Sequence, residues 1–264
     1  MIVPQSMSYA KLAGLPVEYG LYSAFMPVFT YSLFGSSRQL AVGPVAIISL
    51  LLSSGVSEIL TAENVDKEDP LYQRRYVQLA VQISFLVGIT NMIMGFARMG
   101  FVTNFLSHAV ISGFTSGAAF IIGLSQLKYI VGYDVDRSDR IHEVLQNLFE
   151  NIQDFNWKTF VMGSCCIGCL MLMKHVGKTV PRFKKIRALG PLTVTAFAII
   201  LSVILDFDSG DAIPLVGDIP KGLPSFTAGE WFPLKSMDKL LVITVSIAIV
   251  GFMESIASKL ISFL

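Results

Sequence analysis

Eight stretches of mostly apolar residues follow one another along the chain, and most are close to the length that a helix needs to cross a lipid bilayer. A helix rises about 1.5 Å per residue, so roughly 20 apolar residues span about 30 Å of hydrocarbon. Apolar residues also occupy consecutive positions, as in Leu240–Ile243, whereas strands of a membrane barrel alternate apolar and polar residues. The sequence therefore predicts an all-α, polytopic membrane protein. The stretches cover residues 1–13, 19–34, 44–60, 77–97, 108–127, 157–173, 189–205 and 240–259.

The composition excludes an ordinary soluble domain. Hydrophobic residues make up 53% of the 264 positions and charged residues 15%, whereas globular proteins carry about 25% charged residues. A soluble core could not cover this much apolar surface, so the bilayer is the predicted solvent. The formal net charge of +1 lacks the basic excess of a nucleic-acid-binding protein, and no nucleic-acid partner is expected.

The charged residues are divided between the loops by sign. The loop between the sixth and seventh stretches carries basic residues and no acid, which predicts a cytosolic location. Counting spans from this loop places the acid-rich loops, at residues 63–69, 134–154 and 206–238, on the opposite side of the membrane. Glu254 is then the one acidic residue predicted at membrane depth. The basic residues of the cytosolic loop are Lys174, Lys178, Arg182, Lys184, Lys185 and Arg187.

Motifs for covalent or nucleotide-dependent catalysis are missing from the sequence. It contains no Walker loop, nucleophile elbow, HExxH motif or dinucleotide fingerprint. The chain is therefore predicted not to be an enzyme and to need no cofactor. Cys165, Cys166 and Cys169 superficially resemble part of a metal site, but no second cysteine pair follows them. We interpret them as small packing residues, since three thiolates in an apolar helix would be costly.

Glu254 is the first candidate for a functional role. An ionisable group in hydrocarbon costs a few kcal/mol, so such residues usually face a cavity or a partner. A carboxyl group in a partly dehydrated pocket could carry a proton together with an anionic substrate. The alternative is that Glu254 lies near the cytosolic end of its span and pairs with Lys259 or reaches the interface.

The first stretch contains amide and hydroxyl groups in a span that should otherwise be apolar. They belong to Gln5, Ser6, Ser8 and Tyr9. Gln5 and Tyr9 are four residues apart and share one helix face, where they could bind a substrate. The alternative is hydrogen bonding between helices, which is a common use of such residues in membranes. Lys11, one turn from Ser8, is either a base that reaches the interface or a counter-charge.

The third stretch begins with Gly43 and Pro44, a sequence typical of a helix start. Proline at the first helical position leaves the amides of Val45 and Ala46 free. If this start lies inside the membrane, the positive end of the helix dipole points toward an anion, as in broken helices of transporters. The alternative is an ordinary helix cap at the membrane surface.

The fifth stretch begins near His108 and contains Gly113 and Gly117. Small residues at this spacing allow another helix to approach closely. We interpret the pattern as helix packing rather than as a binding site.

Five segments of the sequence resemble signature segments of the sulfate permease family of anion transporters. The resemblance extends over essentially the whole chain and is strongest to plant-type, proton-coupled sulfate transporters. The segments are Val3–Tyr22, Phe34–Ala46, His108–Gly117, Gly123–Lys128 and Phe252–Ile256.

The resemblance implies a fold of fourteen membrane helices in two inverted repeats of seven, in which a core domain moves against a gate domain, followed by a cytosolic STAS domain. By this comparison, residues 1–264 are expected to be a partial transmembrane transport domain that holds the first repeat and helix eight. Truncation within the transmembrane domain is therefore expected. The full-length protein is expected to be a homodimer in the plasma membrane or the vacuolar membrane.

The resemblance also implies an anion site between the starts of helices three and ten, near polar residues of helix one. The matching substrate-binding positions are Gln5 and Tyr9, together with the amides around Val45 and Ala46. Glu254 matches the acid of helix eight to which proton coupling is attributed. Helix ten has no counterpart in this sequence, so half of the expected anion site is missing from it.

Three hypotheses for function follow. The first is symport of sulfate with protons by alternating access, and the second is an anion exchanger or channel of the same fold. The third is that this chain by itself is an inactive or assembly-modulating fragment. Helix-end amides select an anion only by its charge and approximate radius. Selenate, molybdate, chloride, bicarbonate and oxalate are therefore also compatible with such a site.

Overall fold

The computed structural model describes residues 2–35, 42–63, 65, 71–98, 108–132, 155–179, 184–204, 219, 222 and 237–263. Within these residues the chain forms eight helices and no strand. Each helix coincides with one of the eight apolar stretches, so the predicted all-α fold is confirmed element by element. The helices are α1 (Ile2–Leu12), α2 (Val17–Phe34), α3 (Ala46–Ala62), α4 (Tyr72–Phe96), α5 (His108–Val131), α6 (Trp157–Thr179), α7 (Lys184–Ile204) and α8 (Met237–Phe263).

Contacts divide the chain into two compact units. The first contains residues 2–118 and 219–264, and therefore holds α1 to α4, the first part of α5, and α8. The second contains residues 119–218, with the remainder of α5, α6 and α7. The helices before α5 and the first part of α5 thus share a unit with α8, although α8 is far from them in sequence.

In the first unit, α8 packs against both α3 and α4, and α1 packs against α2 and α3. Small residues permit the closest approaches, because helices in lipid associate through close van der Waals packing rather than through exclusion of water. A side chain on Gly20 of α2 would clash with the carbonyl oxygen of Ser6 and lie 2.9 Å from Ala10 Cβ. The centre of this unit contains the fully buried side chains of Val56, Ile59, Leu60, Leu79, Ile83 and Leu240.

α1 ends in a Schellman motif, which satisfies two of the last carbonyl groups of the helix. The Leu15 amide donates to the Ala10 carbonyl at 2.9 Å, and the Gly14 amide donates to the Lys11 carbonyl at 3.1 Å. Gly14 has a φ of 77°, a left-handed conformation that glycine adopts without steric strain. The chain therefore turns sharply after α1 and returns as α2 against the same helix.

α4 begins one turn before its apolar stretch, because polar side chains stabilise that turn. Arg75 pairs with Glu63, the residue that follows α3, with Nη2 lying 3.2 Å from Oε1. Arg75 Nε also donates to Glu63 Oε2 at 3.3 Å, and Nη1 donates to Gln78 Oε1 at 3.0 Å. These bonds hold the end of α3 beside the beginning of α4.

In the second unit, α6 and α7 pack against each other. Gly190 of α7 lies opposite α6, where a side chain on it would meet Leu170 Cδ2 at 3.7 Å and Met173 Cβ at 3.9 Å. Cys165, Cys166 and Cys169 are on α6 as unbonded thiols and help to line an apolar groove of about 750 Å³ beside α7. The interpretation of these cysteines as packing residues stays a prediction.

Two of the described helices, α4 and α6, are each long and apolar enough to cross a membrane by themselves. α3 and Leu189–Ile204 of α7 are also apolar but shorter. Large apolar side chains are widely exposed on the described helices, among them Phe34 at 89%, Phe96 at 83% and Val203 at 75%. Such a surface suits a hydrocarbon environment.

Candidate functional site

Gln5 and Tyr9 lie together on α1. Gln5 Nε2 donates a hydrogen bond to the Tyr9 hydroxyl at 2.9 Å, as the spacing of four residues permits. Gln5 is exposed and Tyr9 is half-buried. Both side chains therefore present polar atoms on one side of the helix, with hydrogen-bonding capacity left for a further group.

Ser6 of the same polar cluster has a different role. It is 1% exposed and faces Gly20 of α2, and its hydroxyl donates to the Val3 carbonyl at 2.9 Å. Its polar atom is thus satisfied within α1. The cluster divides into a packing residue, Ser6, and an exposed pair, Gln5 and Tyr9.

α3 begins without a capping side chain. Val45 is the N-cap residue, with φ −130° and ψ 141°, and it has no polar side-chain atom to accept from the first amides. Its carbonyl accepts the first helical hydrogen bond, from the Ser49 amide at 3.0 Å. The amides of the first turn, beginning at Ala46, have no acceptor within the helix and point out of its positive end.

The expected position of Pro44 as the first helical residue is not what the structure shows. α3 starts at Ala46, so Pro44 precedes the N-cap. Val45 takes the extended conformation that a β-branched side chain favours, so the helix begins two residues later than predicted. The open amides are consequently those that follow Val45, and Ala46 is the first of them.

Two contacts define the register between α3 and α8. A methyl group on Gly55 would lie 2.7 Å from Ile243 Cγ2, and one on Gly251 would lie 3.2 Å from Ile48 Cδ1. A later residue of α3 therefore meets an earlier residue of α8, and the two helices are antiparallel. One turn beyond Gly251 is Glu254, and one turn before Ile48 is Val45. The acid of α8 and the open start of α3 lie at about the same depth in the unit.

A buried hydrogen bond defines the register between α1 and α3. The Tyr76 hydroxyl donates to the Ala13 carbonyl at 2.8 Å and lies 3.3 Å from Ser53 Oγ. Successive spans alternate in direction, so α1 and α3 run the same way. Counting eight residues back along each helix, about 12 Å, reaches Gln5 and Val45. Gln5 therefore also lies at the depth of the α3 start.

Glu254 is half-buried, and its Oε2 atom is fully buried with no hydrogen-bond partner among the described residues. A buried carboxyl oxygen without a partner is costly, at about 1 to 3 kcal/mol or more when charged. A proton or an arriving group would lower that cost. The alternative pairing with Lys259 involves a side chain outside the described residues.

Several buried polar residues that the sequence did not indicate lie on the helices that carry the candidate site or pack against them. Tyr76, Ser53 and Ser49 are buried, and Ser49 follows Val45 by one turn. No local pattern could reveal Tyr76, because it contacts a residue 63 positions away. The spacing of Ser49 and Ser53, four residues apart in an apolar helix, was the available sign in the sequence of a buried polar face on α3.

The fifth helix matches its predicted start at His108, whose side chain lies outside the described residues. Gly113 and Gly117 are exposed, and a side chain on either would meet no described atom within 4 Å. The predicted close packing at these glycines is therefore not seen within the part of the chain that is described.

Comparison with known proteins decides the family. The sequence profile of the sulfate permease family matches residues 1–261. The chain belongs to the sulfate permease family. It is 48% identical to "Probable sulfate transporter 4.2" of Arabidopsis thaliana over 98% of this chain. It is 44% identical to "Sulfate transporter 4.1, chloroplastic" of the same plant, also over 98% of this chain. As the resemblance implied, the chain is a sulfate permease family member. These relatives are named as transporters, in agreement with the prediction that the chain is not an enzyme.

This family member covers only part of its relatives. It spans 37% of the length of each of the two Arabidopsis proteins. Against "High affinity sulfate transporter 2" of Stylosanthes hamata it is 34% identical over 88% of this chain and 34% of the relative.

Solved structures show the fold of this sulfate permease chain. The murine Solute Carrier 26 family member A9 anion transporter in the inward-facing state matches with a TM-score of 0.79 at 24% identity, over 97% of this chain and 44% of that one. The transmembrane domain of the cyanobacterial bicarbonate transporter BicA matches with a TM-score of 0.75 at 20% identity, over 96% and 59%. The chain is an integral membrane protein with the fold of these transporters.

Proposed function

We propose that this chain is part of a transport domain that carries sulfate across a membrane together with a proton, by alternating access. The observation that carries the proposal is the common depth of three groups in the first unit: the Gln5–Tyr9 pair, the open start of α3 and the Glu254 carboxyl group. Two of them offer hydrogen-bond donors and the third offers a proton. Similarity to the Arabidopsis transporters supports sulfate as the substrate.

The anion would be bound by the start of α3 and by α1. Amides at the end of a helix point at the ligand, and the helix dipole favours negative charge there. The Gln5 amide and the Tyr9 hydroxyl add donors from the side. Hydrogen bonds to an ionised group are shorter and about twice as strong as neutral ones, which suits a sulfate oxygen.

Glu254 would balance the charge of the anion. Like unit charges 4 Å apart repel by about 4 kcal/mol at an effective dielectric constant of about 20. A dianion bound at such a distance from an ionised carboxylate would be repelled, whereas a protonated carboxyl group removes that repulsion. Sulfate would then be bound preferentially with a proton, and release of one would favour release of the other.

The two compact units support a rigid-body mechanism. The candidate site belongs entirely to the first unit, since Gln5, Val45 and Glu254 all lie in it. We propose that the first unit is the moving core domain and the second is part of the gate domain. Movement of the core would carry the bound anion from one side to the other.

Reconstitution of the full-length protein tests this proposal. Proteoliposomes are loaded at neutral pH, and uptake of radioactive sulfate is measured at acidic and at neutral outside pH. We expect uptake that increases at acidic outside pH and collapses when a protonophore is added. Sulfate-dependent current that ignores the proton gradient would favour a channel or exchanger, and no sulfate movement would contradict the proposal.

The membrane and the assembly are also open to test. The predicted location is the plasma membrane or the vacuolar membrane. The predicted assembly is a homodimer. One relative carries "chloroplastic" in its name, so a fluorescent fusion should be scored against plastid markers as well. Size-exclusion chromatography with light scattering measures the number of subunits.

A further inference from the structure

Tyr76 joins three helices through one buried hydroxyl group. It is on α4, is 3% exposed, donates to the Ala13 carbonyl after α1 at 2.8 Å, and lies 3.3 Å from Ser53 Oγ on α3. Both partners are themselves nearly buried, at 4% exposure each. The Tyr76 hydroxyl thus ties α1 to α3 at a point remote from the candidate site.

The Ala13 carbonyl needs such a donor. It belongs to the residue that follows α1, and carbonyl groups at the end of a helix have no partner within the helix. The Schellman bonds of the Gly14 and Leu15 amides use the Lys11 and Ala10 carbonyls, so they leave the Ala13 carbonyl to another donor. Ala13 is 4% exposed, and a buried carbonyl without a donor would cost the full desolvation of the group. The bond therefore selects one axial position of α1 relative to α3.

That axial position determines the geometry of the anion site. Gln5 and Val45 are each eight residues before the two residues that Tyr76 contacts. A shift of α1 along α3 by one residue would move Gln5 by about 1.5 Å relative to the start of α3. Displacements of about 1 Å are enough to weaken a pre-organised site by a large factor.

We propose that Tyr76 is a positioning residue for the anion site, which sets sulfate affinity by holding the donors of α1 level with the amides of α3. The inference rests on the proposed function. Tyr76 does not touch the anion, since its hydroxyl is bonded about 12 Å away from the level of Gln5. It acts on affinity through Gln5 and Tyr9.

Sulfate uptake by the full-length protein in proteoliposomes tests this role. Tyr76→Phe removes only the hydroxyl group and keeps the ring. We expect the KM for sulfate to rise roughly two- to tenfold, the equivalent of about 0.5 to 1.5 kcal/mol for one hydrogen bond, at unchanged maximal rate per inserted molecule. Tyr72→Phe is the matched control, because Tyr72 lies one turn earlier on α4 with its ring 6.1 Å from that of Tyr76. It should leave KM unchanged.

A second pair of variants separates positioning from a general loss of structure. In a Gln5→Ala background the donor that Tyr76 positions is gone, so adding Tyr76→Phe should raise KM by much less than it does alone. If Tyr76→Phe raised KM by the same factor in the Gln5→Ala background as it does alone, the inference would be contradicted. An unchanged KM in the Tyr76→Phe single variant would also contradict it. A fall in maximal rate or in the amount of inserted protein with KM unchanged would show a merely structural role. Absence of sulfate uptake by the unmodified protein would contradict the proposed function and the inference with it.

Discussion

Gly251 of α8 meets Ile48 of α3 so closely that a single methyl group on the glycine would lie 3.2 Å from Ile48 Cδ1. This contact determines which turn of α8 lies beside the start of α3. Because Glu254 follows Gly251 by one turn and Val45 precedes Ile48 by one turn, the acid and the open helix end share a depth. The proposed coupling of proton and anion depends on that relationship.

Replacing Glu254 by glutamine should abolish the stimulation of sulfate uptake by acid. The carboxyl group gains a proton as pH falls and the amide does not, so uptake by Glu254→Gln should be the same at acidic and at neutral outside pH. Radioactive sulfate uptake in proteoliposomes measures this. Glu58→Gln is the control, since Glu58 is an exposed carboxyl on α3, and it should keep the acid response. A Glu254→Gln protein that still responds to acid would exclude this residue as the proton carrier.

Removing the donors of α1 should weaken sulfate binding. A hydrogen bond to a charged group contributes about 1.5 to 3 kcal/mol, so Gln5→Ala should raise the KM for sulfate roughly tenfold to a hundredfold. Tyr9→Phe should have a similar but smaller effect, because it also releases Gln5 from its bond at 2.9 Å. Ser8→Ala, which removes an exposed hydroxyl one residue before Tyr9, should leave KM unchanged. If the KM of all three variants equalled that of the unmodified protein, the anion would have to bind elsewhere.

Gly55→Ala should destabilise the protein by forcing α3 and α8 apart. The new methyl group would lie 2.7 Å from Ile243 Cγ2, and such overpacking costs about 1 to 3 kcal/mol. Thermal unfolding in detergent should show a lower midpoint, and Ile243→Ala in the same protein should restore part of it. Gly88→Ala on α4 meets no described atom within 4 Å and should be neutral or stabilising by up to about 1 kcal/mol. A midpoint for Gly55→Ala at or above that of Gly88→Ala would contradict the described packing.

The ion pair between Arg75 and Glu63 should contribute modestly to stability. Both side chains are 22% exposed, so screening limits the contribution to about 1 kcal/mol. Arg75→Gln and Glu63→Gln should each lower the unfolding midpoint, and the double variant should lose little more than either single one. The loss of stability in each variant, relative to the unmodified protein, should shrink at high salt. Independent, additive losses would mean that the pair does not act as a unit.

The sequence predicted the helices well, because each needed only a long apolar run that any bilayer-spanning helix must have. It located Gln5, Tyr9 and Glu254 as candidates from the cost of polar groups in hydrocarbon. It did not locate the start of α3 correctly, since the extended preference of Val45 competes with the helix-starting preference of Pro44. It also missed Tyr76, because the bond to the Ala13 carbonyl joins residues 63 positions apart and leaves no periodic signal.

The shortness of α3 has a consequence for how an ion reaches it. Its 17 residues rise about 25 Å, less than the roughly 30 Å of hydrocarbon. Residues 42–45, which precede α3, lie outside any helix, and peptide groups without a helix need water or protein partners at membrane depth. Where water is the partner, hydration extends inward toward α3, so an arriving anion would exchange its water shell for protein donors gradually instead of losing it in one step at the surface.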